Sequence, residues 1–235
     1  MIKQLEQYSL FENRKIDSYK LLENQGYCNE NYLLHSEGKK YILRKFIRTD
    51  IDRKFEFQVQ KLAFEKGISA EPLLLDEENN LIISTYLEGT HKDTLEKNDL
   101  DQFAEVLKKL HTSKIECEPI ILETLIEAKS KEVQNAFTTI ETFQSEAVLC
   151  HNDLNPQNIL FAKTIKLIDW EYAGVNDRYF DLASVGVEFD LNKEDEAHFL
   201  KSYFTMEYEI NYEKLKAYKV IYKALCSQWF EELAK

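Results

Sequence analysis

One stretch of the sequence holds side chains whose types and spacing could do chemistry. His151-Asn152-Asp153-Leu154-Asn155-Pro156-Gln157-Asn158-Ile159-Leu160 places a carboxylate and an amide five residues apart on a polar loop, and Leu167-Ile168-Asp169-Trp170 adds a second carboxylate after another apolar run. Transfer of a γ-phosphoryl group needs metal ions bridging the phosphates, a cation on them, and a carboxylate that orients the attacking hydroxyl and accepts its proton. Carboxylate and amide oxygens are hard ligands of the kind Mg²⁺ takes while keeping several waters. Asn158 and Asp169 fit that pair, which leaves Asp153 to face the hydroxyl. Alone, Asp153 or Asn158 reads as a turn residue; joined with Asp169 between apolar runs, they read as a phosphotransfer site. His151 is assigned to holding the loop by hydrogen bonds, because the base role already has a carboxylate. His35, His91, His111 and His198 are scattered and receive no assignment.

The elements that must position this loop are bounded by composition. At 235 residues and 44% hydrophobic content, the chain can form one large domain or two small lobes. Its formal charge of -12 opposes nucleic acid or an anionic membrane as a partner and favours a cationic substrate. Cys28, Cys117, Cys150 and Cys226 are dispersed without a CxxC pair, which suits a reducing compartment and argues against a zinc site or disulfide framework. The N-terminal residues lack the apolar core of a signal peptide, and no run approaches the roughly 20 apolar residues that span a bilayer. A cytoplasmic protein without membrane insertion is therefore expected. No Gly/Ser-rich tract marks a linker, so the division must come from element order.

Residues 19–46 alternate as strands do, with Tyr32–His35 and Tyr41–Phe46 flanking turn material at Ser36–Lys39. Before them, Asn24–Asn31 is polar and turn-forming and could fold over a nucleotide's phosphates, with Asn29 a candidate contact. Phe55, Val59, Leu62 and Ala63 recur at helical spacing over Ile51–Lys66, and Gly67 stands where a left-handed cap would end the helix. Pro72–Leu75 and Leu81–Leu87 predict two further strands. Asp99 with Gln102 resembles a capping box opening a helix that ends near His111, with Leu100, Phe103, Ala104, Leu107 and Leu110 on one face. A second helix is predicted over about Ile121–Phe143, then short apolar runs at 148–150, 159–161 and 165–168, then a helical, aromatic remainder. Trp170, Tyr172 and Trp229 offer ring faces for a quaternary ammonium, while Leu215, Tyr218, Tyr222, Leu225 and Trp229 also form an ordinary helical core stripe.

His151-x-Asp153-x-x-x-x-Asn158 followed by Ile168-Asp169 resembles the catalytic and metal segments of the protein-kinase-like superfamily. His-Asn-Asp-Leu with Ile-Asp-Trp-Glu-Tyr-Ala resembles its choline/ethanolamine kinase branch, nearest the bacterial LicA-type choline kinases, over most of residues 20–230. The resemblance implies Asp153 as catalytic base, Asn158 and Asp169 as Mg²⁺ ligands, and Arg44 with Glu56 as the phosphate-side ion pair. It implies that residues 84–89, including Ser84, Tyr86 and Leu87, line the adenine pocket. Asp181 matches an acidic residue that braces the catalytic loop, and Glu188 falls near the substrate amine. On the substrate side, Asn155, Glu171, Tyr172 and Trp229 join Glu188 as candidates. The sequence departs from the family at its glycine-poor covering loop, at Cys226 three residues before Trp229 where a Trp-x-x-Trp is common, and at Ser184-Val185-Gly186 in place of Asn-His-Phe.

The expected fold is α+β and two-lobed, with a nucleotide-binding lobe over residues 1–88 and a mainly helical catalytic and substrate-binding lobe over 89–235. The expected reaction is ATP- and Mg²⁺-dependent phosphorylation of a small cationic alcohol, choline or ethanolamine first. Open alternatives are a related kinase for an aminoglycoside, thiamine, homoserine or a sugar, and a catalytically silent nucleotide-binding module. The short interval from Asp169 to Phe180 leaves little room for the activation segment of a protein kinase.

Overall fold

Glu37 and Gly38, at φ 49° and 75°, make the two-residue reversal that suits the twist of hairpin strands. Around this hairpin a computed structural model describes residues 2–23, 29–127, 129–205 and 208–233. The chain divides into two compact units, Met1–Gly89 and Thr90–Lys235. The first runs through α1 (Ile2–Leu5), a 3₁₀ turn at Ser9–Phe11, β1 (Ile16–Leu21), β2 (Asn29–Ser36), β3 (Lys39–Phe46), α2 (Arg53–Glu65), β4 (Pro72–Asp76) and β5 (Leu81–Thr85). Its five strands form one antiparallel sheet in the order β1-β2-β3-β5-β4.

Strand alternation divides this unit's labour between two faces. Leu34, Tyr41, Leu43, Leu81 and Ile83 join Leu5, Phe11 and Ile16 in a buried cluster, with Phe11 edge-on to Tyr41 at 5.5 Å. The opposite face of β3 and β5 carries Arg44 and Ser84 toward α2, where they meet Glu56 and Gln60. Asp52 caps α2 by accepting from the Phe55 N–H at 3.0 Å, so the helix starts at Arg53 and not Ile51. Gly67, at φ 72°, follows its last turn.

The structure corrects three strand expectations. β1 adds a fifth strand beyond the two hairpins predicted. Asn29–Asn31, read as turn, are strand, because β2 pairs with β3 along its whole length to Asn29 opposite Phe46; residues 24–28 of that segment lie outside the described residues. β5 ends at Thr85, two residues short of the predicted Leu87.

The second unit comprises α3 (Lys97–His111), α4 (Leu122–Leu125), α5 (Lys131–Glu141), β6 (Ala147–Cys150), a 3₁₀ turn at Pro156–Asn158, β7 (Ile159–Leu160), β8 (Lys166–Leu167), β9 (Gly174–Asp177), α6 (Arg178–Glu188), α7 (Lys193–Tyr203) and α8 (Tyr212–Leu233). The five residues predicted for the apolar face of α3 are all buried. Its capping box pairs Glu96 with Asp99, whose carboxylate accepts from the Glu96 N–H at 3.0 Å; Asp99 therefore stands inside the helix and not at its cap. The single helix predicted over 121–143 is two, because Ile126 is extended and Ser130 caps α5 by accepting from Val133 N–H at 3.3 Å. β9, unpredicted, pairs with β6, and β7 with β8. α8 packs on α5 and α6, and α3 on α7. No described helix is long and apolar enough to cross a membrane.

Deep in this unit Lys214 is 2% exposed, yet its ammonium is matched on every side. It lies 2.7 Å from Asp177 and 3.3 Å from Glu146, donates to the Gln144 carbonyl at 2.9 Å, and stands 4.8 Å from the centre of the Tyr179 ring. A buried charge survives only when paired in this way, and here the pairing ties α8 to β6 and β9.

Candidate active site

The polar loop predicted to be catalytic leaves β6 at Cys150 and returns through β7. Asn152 adopts φ 65°, a left-handed conformation that asparagine tolerates better than most residues. The Asp181 carboxylate on α6 holds this turn, accepting from His151 N–H through Oδ2 and from Asn152 N–H through Oδ1, each at 2.9 Å. Asn152 donates its side-chain amide to the Tyr172 carbonyl at 3.0 Å and accepts from Asn176 at 2.9 Å. His151, fully buried, approaches the Ile168 carbonyl through Nε2 at 3.0 Å, which fits the loop-holding role read from sequence.

Within the loop, three predicted site residues meet directly. Asn155 donates to Asp153 Oδ1 at 3.0 Å and Asn158 donates to Asp153 Oδ2 at 2.7 Å. Asn155 also opens the 3₁₀ turn by accepting from Gln157 N–H at 2.9 Å. With its amide nitrogen committed to Asp153, Asn158 has its oxygen as the atom that can ligate a cation. Ile168 N–H donates to the Asn158 carbonyl at 3.0 Å, which carries Asp169, at φ 65°, alongside. Burial raises the Asp153 carboxyl above its usual range; His151, Asn155 and Asn158 oppose that rise, and the Asp169 carboxylate adds to it. Two carboxylates and an amide oxygen in this arrangement are a hard-donor set that a divalent cation would relieve of mutual repulsion.

Among the residues expected on the substrate side, Glu188 at the end of α6 accepts a hydrogen bond from Tyr222 of α8 at 2.7 Å. Cys226 stands one turn beyond Tyr222, and burial pushes its thiol up to about 11, with the Glu188 and Asp153 carboxylates contributing. Glu188, Tyr222, Cys226 and Asp153 thus share one electrostatic neighbourhood. Glu171 and Tyr172 are half-buried just after Asp169, Tyr172 lending its carbonyl to Asn152. Trp229 meets Phe230 edge-on at 5.1 Å, two turns past Tyr222. Of the two readings open for Trp170, ring face or core, the structure supports core: it is 1% exposed and packs 4.7 Å from His151. The core stripe of α8 is likewise real at Leu215, Tyr218 and Tyr222, and thins to half-buried at Leu225 and Trp229.

The first unit holds the predicted phosphate-side residues. Arg44 donates to Glu56 Oε1 at 2.6 Å, and Glu56 is 2% exposed. Sequence reasoning missed a second guanidinium: Arg53 donates to Glu56 Oε2 at 2.6 Å, sits 4.0 Å from the Phe46 ring centre and reaches Asn29 Oδ1 at 3.3 Å. Arg53 had no signal beyond its place three residues before Glu56. Ser84 is buried with its hydroxyl accepting from Gln60 at 2.9 Å. Tyr86 is half-buried, its N–H donating to the Lys40 carbonyl at 3.2 Å, and Leu87 is half-buried beside it.

Two unassigned histidines also serve the loop. His91 places Nδ1 2.9 Å from the Ile159 carbonyl and 3.1 Å from that of Pro156. His111 lies 3.0 Å from Asp181 through Nε2. His111, Cys150 and Asp181 cluster closely enough to suggest a metal site, but Asp181 spends both oxygens on backbone N–H groups. Burial and the Asp181 and Asp177 carboxylates push the Cys150 thiol well above its usual range, away from the thiolate a metal needs. That cluster is a brace.

Comparison with known proteins places this geometry. Residues 22–218 match the model of the phosphotransferase enzyme family, APH. Protein LicA of Haemophilus influenzae is 28% identical over 235 residues, 86% of this chain and 88% of the relative. Among solved structures, choline kinase LicA from Streptococcus pneumoniae superposes with a TM-score of 0.79 at 27% identity, covering 99% of this chain and 90% of that one. LicA in complex with AMP gives 0.75 at 27%, covering 97% and 86%. The fold is the α+β protein-kinase-like fold expected from the sequence, and the chain belongs to the phosphotransferase enzyme family.

Proposed function

We propose that this phosphotransferase is an ATP- and Mg²⁺-dependent kinase for the hydroxyl of a small amino alcohol, choline or ethanolamine first. The observation that carries the reading is Asp153 held by Asn155 and Asn158 on a loop locked by Asp181, in a chain similar over nearly its whole length to choline kinase LicA. Asp153 is the base. Burial raises its carboxyl above the usual range, which makes it a stronger proton acceptor, and two amide donors fix its oxygens. As the substrate oxygen attacks the γ-phosphorus, its proton passes to Asp153 and the bond from that phosphorus to the bridging oxygen breaks, releasing ADP. Asn158 and Asp169 would hold Mg²⁺, which when bound supplies charge neutralisation on the phosphates. Arg44, aligned by Glu56, supplies the cation on the phosphate side within a nucleotide-binding unit at residues 1–89; Asn29 and the segment Ser84, Tyr86 and Leu87 complete it.

A net charge of -12, and the Glu188 and Asp153 carboxylates that both act on the Cys226 thiol, support a cationic acceptor, with Glu171, Tyr172, Asn155 and Trp229 as its further contacts. ATP consumption measured with Mg²⁺ across choline, ethanolamine, thiamine and an aminoglycoside tests the reading. Turnover should be highest with choline or ethanolamine. Preference for thiamine or the aminoglycoside would overturn the substrate, and turnover with none would overturn the enzyme.

A further inference from the structure

Asp181 holds the catalytic loop, and the structure shows what holds Asp181. Its Oδ2 takes the His151 N–H at 2.9 Å and also lies 3.0 Å from His111 Nε2, at the C-terminal end of α3. A carboxylate that accepts two backbone N–H groups is an acceptor only, so His111 Nε2 must carry the hydrogen and donate. In a neutral imidazole the other nitrogen is then an acceptor. Nδ1 lies 2.6 Å from the hydroxyl of Tyr203, the last residue of α7, and the two rings meet edge-on at 5.5 Å. Tyr203 is 4% exposed, His111 7%, and Asp181 and His151 0%, so water does not compete. Charged or titratable groups around this line are Cys150 of β6 and Arg178 of α6, with Glu146 beyond. Burial drives the Tyr203 hydroxyl upward, so it remains a donor.

We infer that Tyr203 is a positioning residue for the catalytic loop: its O–H donates to His111 Nδ1, His111 Nε2–H donates to Asp181, and Asp181 holds the two N–H groups that set Asp153. The hydrogen-bond direction is the same at every link: Asp181 sets the histidine tautomer, and the tyrosine hydroxyl, bonding the nitrogen left as acceptor, holds the ring plane on which Asp181 depends. The inference rests on Asp153 being the base.

Nitrogen chemical shifts of the His111 ring, measured on the full chain without acceptor, test the tautomer apart from turnover. The wild-type ring should show a protonated Nε2 and an unprotonated, hydrogen-bonded Nδ1 at neutral pH. Tyr203→Phe should shift the Nδ1 resonance alone and lower kcat about fivefold to tenfold, the scale for one buried acceptor left unmet, with KM values within about twofold. Tyr179→Phe removes another buried hydroxyl, one that accepts from Asn211 N–H at 2.9 Å, and serves as the control for general loosening. An imidazolium or an Nδ1–H tautomer in the wild-type spectrum would overturn the inference even if Tyr203→Phe failed to fold. So would an unchanged kcat in Tyr203→Phe, or an equal fall in Tyr179→Phe. Full activity of Asp153→Asn would instead sink the base assignment while leaving the tautomer result intact.

Discussion

Replacing Glu56 by Gln exchanges one carboxylate oxygen for an NH₂ and removes a charge that opposes the two guanidinium groups it bonds. The carboxylate gives one oxygen to Arg44 and the other to Arg53, both at 2.6 Å, and its side chain is 2% exposed. Glutamine keeps one acceptor and turns an NH₂ donor toward the other guanidinium, so one hydrogen bond becomes a donor–donor contact. Breaking a buried ion pair costs about 3–5 kcal/mol. Part of that is recovered here, because Arg53 keeps the Phe46 ring and Asn29, and Arg44 is 13% exposed and can draw on water. A loss of about 2–4 kcal/mol in unfolding free energy should follow. Urea denaturation of the two proteins measures it. With Arg44 no longer aligned, KM for ATP should rise about tenfold, the value of one charge-assisted hydrogen bond. Adding Arg53→Met to Glu56→Gln removes the stranded guanidinium and should return part of the stability while KM for ATP stays high. An unfolding midpoint and KM both equal to wild type in Glu56→Gln would refute the claim that this carboxylate organises the phosphate side.

Three further outcomes are expected. Asp153→Asn should lower kcat by about 10²- to 10⁴-fold, the usual contribution of a positioned general base, while ATP affinity measured by calorimetry changes little. Lys214→Met should destabilise the second unit by about 3–5 kcal/mol, since it takes the ammonium from the buried Asp177 carboxylate, while Glu146 keeps Tyr208 and Arg178; a thermal melt within 1 °C of wild type would contradict this. The Tyr8 hydroxyl donates to Asp76 at 2.5 Å, and that bond, with those from Asn79, holds the Asp76 carboxyl below its usual range. A lowered folded value means stability present above the unfolded value and lost as pH falls through the folded one. From the other end, burial and Asp76 push Tyr8 up to about 12, so its share is lost as pH rises toward that value. Stability followed from acid to alkali should therefore fall at both extremes, and Tyr8→Phe should flatten both limbs.

How legible these features were depended on whether their cause was local. The face of α3 repeats at helical spacing over fifteen residues, and all five positions read from it are buried. The loop proposed to be catalytic stands out in the sequence because the residue types that the proposed chemistry needs lie close together. By contrast, β9 is Gly-Val-Asn-Asp, polar and four residues long, and becomes a strand only through pairing with β6. Ser130 looked like an interior helix residue until its hydroxyl took the Val133 N–H and started a new helix there. Arg53, Lys214 and Tyr203 carry no pattern in sequence. Each acquires its role from a partner brought near by tertiary packing, and a charged residue in a helix is by default a surface residue. Trp170, an aromatic in the chemical stretch that could be read as ring face or as core, is core.

The left-handed turn at Asn152 ties catalysis to the order in which the chain assembles. Every partner that holds this residue, the Tyr172 carbonyl, Asn176 and the Asp181 carboxylate, is supplied by sequence twenty or more positions later. These hydrogen bonds, made across the fold, hold the left-handed conformation in place. A chain whose α6 has not docked would thus carry Asp153, Asn158 and Asp169 yet lack the carboxylate that holds the turn before them. The same holds for the mature protein whenever α6 loosens: turnover would cease through a local opening well before the rest of the unit unfolds.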